Sequence, residues 1–356
     1  MSDSPLRIVV KLGTQVVARD DGTLALGPLG SLVEQLHALR TAGHDVILVS
    51  SGAIGLGANR LGQKRPTSLA ARQAAAAVGQ GVLMALYDAL FSRVGHTVAQ
   101  VLLTEDDFHQ RRHYVDLHQA FERLLALGVV PIVNENDVTS TKELALTGRV
   151  FGDNDRLAAL VASNLQADLL LLLSNVDGLY TAPPGTPGAT RIPVFDPDAE
   201  FAIGAASALG TGGMGSKVAA AQMAARSGVR VVIARGHTPD VVLDAVAGRE
   251  VGTVFPPTGD LSPRRQWIAF AAATEGTLTV NQGAVDALRQ SDASLLWPGV
   301  THVEGDFTVG AVVQVDGPDG LVARGRTKVG SDPLRAGIGT ERGIVLHRDD
   351  LVLEEP

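Results

Sequence analysis

Two lysines stand beside glycines in ways that suit anionic ligands. Lys11-Leu12-Gly13-Thr14 closes the first apolar run of the chain, Arg7–Lys11. A lysine ending a strand there either points its ammonium at a phosphate or sits exposed in a turn, because lysine is rarely buried without a partner. Lys217 closes the run Gly210-Thr211-Gly212-Gly213-Met214-Gly215-Ser216-Lys217, which opens a helical pattern. Two phosphate-loop patterns come close to this run and neither fits. A Walker A loop sets its lysine directly after the last glycine and a hydroxyl after that, whereas Ser216 intervenes here and Val218 follows. Gly210, Gly212 and Gly215 do satisfy G-x-G-x-x-G. A dinucleotide site, however, needs a strand before the loop and an acidic residue after the next strand, and Arg235-Gly236 stands at that place. What remains is a loop whose amides can cradle phosphate, with a lysine at a helix N-terminus.

Three more polar segments follow apolar runs or open a helix. Ser50-Ser51-Gly52-Ala53-Ile54-Gly55 has the small residues that leave backbone N–H groups free for an anion, or that simply make a tight turn. Asn134-Glu135-Asn136-Asp137 is either a solvated loop or a grip for an ammonium group or a bound Mg²⁺. In Phe151-Gly152-Asp153-Asn154-Asp155, Asp153 suits a helix N-cap, which leaves Asn154 and Asp155 unexplained; a carboxylate here can orient lysines around a transferring phosphoryl group. The chain has no cysteine, so thiol catalysis, thiolate metal sites and disulfides are excluded. His109, His113 and His118 lack metal-ligand spacing and are read as surface or packing residues. No Ser-His-Asp set is discernible. Phosphoryl transfer is the chemistry that uses lysines and positioned amides without a covalent nucleophile.

These segments need a scaffold, and the apolar pattern predicts one. Strands are expected at Arg7–Lys11, Asp45–Ser50, Val98–Leu103, Val129–Val133, Leu169–Leu173 and Val229–Ala234. The continuous run Leu169–Leu173 suits a strand buried on both faces. Leu29, Leu32, Val33, Leu36 and Leu39 share one helical face, with Gly43 as its C-terminal stop. Further helices are expected at Thr67–Phe91, Tyr114–Leu127, from Asp153 to Gln166, and at Lys217–Ser227. This β-α-β rhythm predicts an α/β fold: a mainly parallel open sheet sandwiched by helices. Its C-terminal strand ends, where open sheets bind ligands, carry the polar segments. The stretch Ala182–Ala189 (APPGTPGA) reads as a hairpin arm.

After Phe255 the texture changes. Pro256-Pro257-Thr258-Gly259 and Ser262-Pro263 are breaker clusters. Short strand candidates then dominate, at Gly276–Val280, Gly299–Glu304, Ala311–Asp316, Leu321–Ala323 and Ile344–His347, with one helix near Gly283–Gln290. The domain expectation is therefore 1–258, a linker at 259–274, and a small β-rich domain at 275–356. At 356 residues, with 45% hydrophobic residues and a net charge of −8, the chain can fill two cores and is not globally basic. No secretory signal or membrane span is expected from its N-terminus and apolar runs.

In order, VVKLGT, SSGAIGLG, IVNENDV, FGDNDRLAAL, LLLLSNVDGLYT and GTGGMGSK resemble the motifs of the bacterial glutamate 5-kinases of the amino-acid kinase family, over about residues 7 to 255. Kinases of acetylglutamate, aspartate, carbamate and uridylate share the lysine-glycine start. The tail resembles a PUA domain, a small pseudobarrel first known from RNA-modifying enzymes, although Thr327–Leu334 (TKVGSDPL) lacks the tyrosine-serine pair usual there. The resemblance implies ATP-dependent phosphorylation of the glutamate side-chain carboxylate, the first step toward proline. It places Lys11 and Lys217 on the ATP phosphates, with Asp155 orienting them. Thr211, Gly212, Gly213, Met214, Gly215 and Ser216 would line the nucleotide. Ser174 and Asn175 would lie near the adenosine, where Asp is commoner than Asn at the second position. Ser51, Gly52, Asn134, Asp137 and Asn154 would hold glutamate. It further implies Mg²⁺ brought with ATP, proline as feedback inhibitor, homo-oligomers, a transient glutamyl phosphate reductase partner and a cytoplasmic location. The rivals are a sibling kinase, for acetylglutamate or carbamate, and an RNA-binding protein acting through the tail. The acidic charge and few aromatics disfavour RNA.

Overall fold

The computed structural model describes residues 4–19, 22–63, 66–139, 154–196, 213–259, 261–291 and 293–354. The chain divides into two compact units. One comprises Met1–Glu105 with Asp116–Asp260, the other Asp106–Val115 with Leu261–Pro356.

In the first unit, seven strands form one sheet: β1 (Arg7–Leu12), β2 (Asp45–Val49), β3 (Val98–Leu103), β4 (Val130–Glu135), β5 (Leu169–Ser174), and, after a small two-stranded hairpin of β6 (Leu179–Tyr180) and β7 (Arg191–Ile192), β8 (Arg230–Arg235) and β9 (Thr253–Phe255). Their order is β3-β4-β2-β1-β5-β8-β9, parallel except for β9. The chain builds outward from β1 to β2 and later crosses over to β5 on its other side. The strand order therefore turns about β1, and its C-terminal end faces the crevice where such sheets bind ligands. Lys11 occupies that end, paired in register with Val49 and Leu172. The apolar residues of β1 and β5 are fully buried, as the unbroken Leu169–Leu173 run requires of a strand covered on both faces.

The helices follow the expected faces. In α1 (Thr14–Val17) and α2 (Leu26–Thr41), Val16, Val17, Leu29, Leu32, Val33, Leu36 and Leu39 enter the core. Gly43, at φ +91°, ends the latter in a left-handed stop. α3 (Ala53–Arg60) and α4 (Leu69–Arg93) cross closely. A Cβ added to Gly57 would stand 1.7 Å from the Ala75 carbonyl oxygen, and one on Gly79 1.8 Å from that of Ala53. Glycine at both positions is therefore a packing requirement. α4 is capped by Ser68, whose side chain accepts from Ala71 N–H. By length and composition alone it is apolar enough to cross a membrane, the one such helix among the described residues. Tyr87 and Phe91 anchor it in the core. α5 (Asp106–His109), α6 (Arg111–Ala126), α7 (Asp155–Asn164), α8 (Met214–Arg226) and α9 (Val241–Val246) complete the set. α8 starts at Met214, ahead of the expected start at Lys217, because Gly213 can take the N-cap position without a side-chain cap. Asp153 lies outside the described residues, and Asn154 holds the N-cap position of α7.

The second unit carries a six-stranded sheet built from Gly276–Val280, Leu295–Leu296, Val300–Glu304, Val312–Gly317, Gly320–Thr327 and Ile344–Leu353. Ser262-Pro263, read from sequence as a breaker, instead starts the short helix Pro263–Gln266. Proline at the first helical position loses no hydrogen bond and has a helical φ already set. A π-helical turn, Trp267–Ala271, follows. The Arg324 guanidinium donates to the Ala269 and Ala272 carbonyls, each at 2.7 Å, satisfying oxygens at the end of that turn. Beyond the expected helix, Ser331–Gly337 forms another.

Candidate functional site

Three charged side chains from three elements meet behind the crevice. Lys11, at the end of β1, sends its Nζ to 2.8 Å from Asp155 Oδ1. Lys217, in the first turn of α8, places its Nζ 2.9 Å from Asp155 Oδ2. Asp155 begins α7, where the helix dipole favours a carboxylate. Lys11 and Asp155 are fully buried, and Lys217 is 6% exposed. Lys217 also donates to the Gly213 carbonyl at 3.3 Å. One carboxylate thus pairs with two ammonium groups, one on each of its oxygens. Burial pulls the Lys11 pKa down to about 8, aided by the Lys217 charge and opposed by Asp155.

Beside this cluster lies a neutral network. Asn154 Nδ2 donates to the Ser50 carbonyl and, at 2.6 Å, to Asn134 Oδ1. Asn134 Oδ1 also accepts from Glu135 N–H at 2.9 Å, and Asn134 Nδ2 donates to Gln80 Oε1 at 2.7 Å. Ser50 Oγ pairs with the Tyr87 hydroxyl at 2.7 Å. Burial pushes the Tyr87 pKa up to about 12, with the Ser50 bond opposing it, so that hydroxyl keeps its proton. Ser51 Oγ is buried and, among the described residues, has no hydrogen-bond partner. A buried hydroxyl without a partner costs stability. Gly52 follows at φ +98° and caps α3. A cavity of about 290 Å³ is lined by Ala53, Gln80, Gln100, Glu135, Asp137 and Val138, among others.

Lys11, Ser51, Asn134, Asn154, Asp155 and Lys217 are thus joined by direct contacts or chain adjacency, and Asp137 lies on the cavity wall. Ser174 ends β5, with its Oγ accepting from Val176 N–H at 3.3 Å, and Asn175 is exposed beside it. In the glycine-rich loop, Gly213 holds the N-cap position of α8, Met214, Gly215 and Ser216 lie in its first turn, and Ser216 Oγ donates to the Gly213 carbonyl. Thr211 and Gly212 lie outside the described residues, as does most of the segment after Asp137. Asn134 spends its side chain holding Asn154 and Gln80. Gln80 and Tyr87 were not singled out from sequence. The signal was there: two polar residues seven apart on one face of an apolar helix. No cluster of three or more His, Asp or Glu able to hold a metal occurs among the described residues. A magnesium ion here would be held mainly by nucleotide phosphates, its usual mode in kinases.

A buried lysine-carboxylate-lysine cluster thus lies at the turning point of a mainly parallel α/β sheet. The amino acid kinase family model matches residues 6–235, and the PUA domain model residues 276–341. The chain belongs to the amino acid kinase family and carries a C-terminal PUA domain. It is 45% identical to a glutamate 5-kinase of Synechococcus sp. (strain JA-3-3Ab), over 97% of this chain and 98% of that one. It is also 42% identical to a glutamate 5-kinase of Streptococcus sanguinis (strain SK36), over 98% and 96%. A solved isopentenyl phosphate kinase substrate complex shares the fold at a TM-score of 0.50 and 18% identity, covering 70% of this chain and 99% of that one.

Proposed function

We propose that this enzyme transfers the γ-phosphoryl group of ATP to the side-chain carboxylate of L-glutamate, giving L-glutamyl 5-phosphate for proline biosynthesis. The observation that carries the reading is the Lys11–Asp155–Lys217 cluster, with both ion pairs under 3 Å. The relatives that match over nearly their whole length supply the acceptor, glutamate. An acceptor carboxylate is already ionised at neutral pH, so the site needs no general base. The γ-carboxylate oxygen forms a bond to the γ-phosphorus as the bond to the β,γ-bridging oxygen breaks and ADP leaves. Lys11 and Lys217 neutralise charge spread over the phosphoryl oxygens, and Asp155 holds the two at fixed separation.

The amino-acid end of the substrate faces the neutral network. Ser51 Oγ and the backbone N–H groups beside Gly52 take its α-carboxylate, and Asp137 takes its α-ammonium. Asn154 orients the reacting end. Ser174, Asn175 and the segment Thr211–Lys217 line the nucleotide, and Mg²⁺ enters with the ATP phosphates. Catalysis belongs to residues 1–258, the PUA fold to 275–356, and 259–274 join them. The enzyme works in the cytoplasm as a homo-oligomer and passes its labile acyl phosphate to a reductase. Proline shares the α-amino and α-carboxylate groups of glutamate, so it occupies the same pocket and competes. Initial rates against glutamate at several proline levels test that. Inhibition that glutamate cannot relieve would refute a shared pocket. The main test is ATP consumption across glutamate, acetylglutamate, aspartate and carbamate. Glutamate is expected to give the highest kcat/KM, and a clear preference for another acceptor would overturn the assignment.

A further inference from the structure

The second unit contains a cluster of cations that phosphoryl transfer does not use. Arg111 stands at the start of α6, within the segment Asp106–Val115 that belongs to this unit. Its guanidinium lies 5.4 Å from the Tyr114 ring centroid and 5.7 Å from that of Trp267. Both rings are buried, and Trp267 is fixed by its Nε1–H donating to the Phe108 carbonyl at 3.0 Å. Among the described residues, the buried Arg111 Nη1 has no hydrogen-bond partner. Arg264 and Arg326 are near enough for their charges, after burial, to lower the Arg111 pKa. Among the described residues the Arg326 side chain likewise makes no hydrogen bond or ion pair. Arg264 pairs with the buried Asp350, and Lys328 Nζ meets the other oxygen of that carboxylate at 2.9 Å.

Among the described residues, Arg264 and Lys328 share one carboxylate, Asp350, while Arg111 and Arg326 make no ion pair. Three guanidinium groups that repel one another, one with a buried N–H left unmade, cost free energy unless something supplies the missing charge. The position of Arg111 sharpens the point. The first turn of a helix favours anions and disfavours cations, yet α6 opens on Arg111, Arg112 and His113 with no acidic residue in its first turn. The same first-turn N–H groups suit an incoming oxyanion. Aromatic faces beneath a guanidinium leave its N–H edge free to point elsewhere, and paired N–H edges match a tetrahedral or planar oxyanion.

We propose that Arg111, Arg264 and Arg326, with Lys328 beside them, form a binding site for a small phosphate-type oxyanion, either inorganic phosphate or the phosphate group of a small metabolite. Arg111 and Arg264 both lie outside the residues matched by the PUA model, 276–341. The site is thus a feature of this chain's packing and not of the bare PUA fold. A compact cluster on a chain of net charge −8 suits a single phosphate group better than the long charged strip a nucleic-acid backbone needs.

The chain has two tryptophans, Trp267 and Trp297. In the full-length Trp297→Phe variant, Trp267 becomes the sole reporter, and Arg111 stands over its ring. Inorganic phosphate and glycerol phosphate are titrated in turn against sodium chloride at matched ionic strength. A saturable emission change with phosphate is expected. Arg326→Met, a change within the second unit, should weaken it about tenfold or more, as loss of a charge-assisted bond does, while kcat for glutamate stays unchanged. A response to inorganic phosphate alone would identify the free ion, and a response to both the phosphate group of small metabolites. If Trp297→Phe fails to fold, the parent and Arg326→Met chains are compared with both tryptophans present. A change that chloride reproduces, one indifferent to Arg326→Met, or saturation by an RNA oligonucleotide only would overturn the proposal.

Discussion

The two halves of the candidate site solve opposite problems with the same burial. On the phosphoryl side, Lys11, Asp155 and Lys217 take three full charges out of water. On the proposed amino-acid side, Ser50, Asn134, Asn154 and Tyr87 bury only neutral groups, each paired with another, and the half-buried Gln80 closes the network. Charged groups are costly to desolvate and lose much more when a partner is removed. Neutral groups are cheap to bury once satisfied, and they fix geometry. The charged half therefore stores an electrostatic demand that ATP phosphates can meet. The neutral half stores shape and, among the described residues, leaves one hydroxyl, Ser51 Oγ, without a partner. Substitutions should separate the two: large losses of turnover and stability on one side, smaller losses of glutamate affinity on the other.

The sharpest break is expected at Asp155. Asp155→Asn removes the charge that both buried ammonium groups pair with. Breaking a buried pair costs about 3–5 kcal/mol, and turnover should fall by about 10³-fold or more as both lysines lose their alignment. Calorimetry should show a lowered melting temperature that ATP partly restores, because its phosphates replace the lost charge. Lys217→Ala is the companion: a loss of about 10²–10³ in kcat with a milder stability change, since one ion pair survives. Normal turnover in either variant would remove the cluster from the mechanism.

On the amino-acid side, Asp137→Ala should raise the KM for glutamate by about tenfold to a hundredfold, the worth of a charge-assisted bond, with little change in that for ATP. A shift confined to ATP would move Asp137 to the nucleotide side of the comparison.

The contrast also has a pH signature. The Lys11 pKa, pulled down to about 8, means its ammonium is lost as pH rises through that value in the free enzyme. Since kcat/KM reports the free enzyme, kcat/KM for ATP should fall with increasing pH above about 8. Bound phosphate favours the charged form and raises that pKa, so the kcat profile should bend at higher pH. An alkaline limb with the same midpoint in both profiles would contradict the assignment of Lys11 to the phosphates.

Much of this arrangement was legible in the residue pattern. The Leu169–Leu173 run, the Leu29–Leu39 face and the polar segments after apolar runs were enough to set a parallel sheet and its ligand edge. The ambiguity at Lys11, buried grip or exposed turn, could not be resolved locally. It depends on Asp155 and Lys217, which are distant in sequence and come together only through sheet order and helix placement. Ser262-Pro263 misled because a serine-proline pair ends one element and starts another with equal ease, and only packing decides. Gln80 and Tyr87 share one face of an apolar helix, but that spacing alone does not say which polar groups they meet, since Asn134 and Ser50 lie far away in sequence.

Gln80 also offers the finest test of the neutral half. Its Oε1 accepts from Asn134 Nδ2, and Asn134 Oδ1 in turn accepts from Asn154. Gln80 also lines the cavity that Asp137 borders. If the network positions Asn154 for the amino acid, Gln80→Leu should loosen it without removing any group that touches ATP. Leucine keeps most of the side-chain volume, so α4 should keep its packing. The change leaves one Asn134 N–H unsatisfied, a cost of about 1–3 kcal/mol. Some of that cost is recovered if the Asn134 side chain turns, so the effect on glutamate should be smaller than at Asp137. The expected outcome is a KM for glutamate raised by about three- to tenfold, an unchanged KM for ATP, and kcat within about twofold. Gln80→Glu keeps an acceptor at the same distance and should recover most of the affinity, unless its charge repels the substrate carboxylates. A purely structural role would instead lower the melting temperature and move both KM values together, and that result would dissolve the division between a charged half and a neutral one.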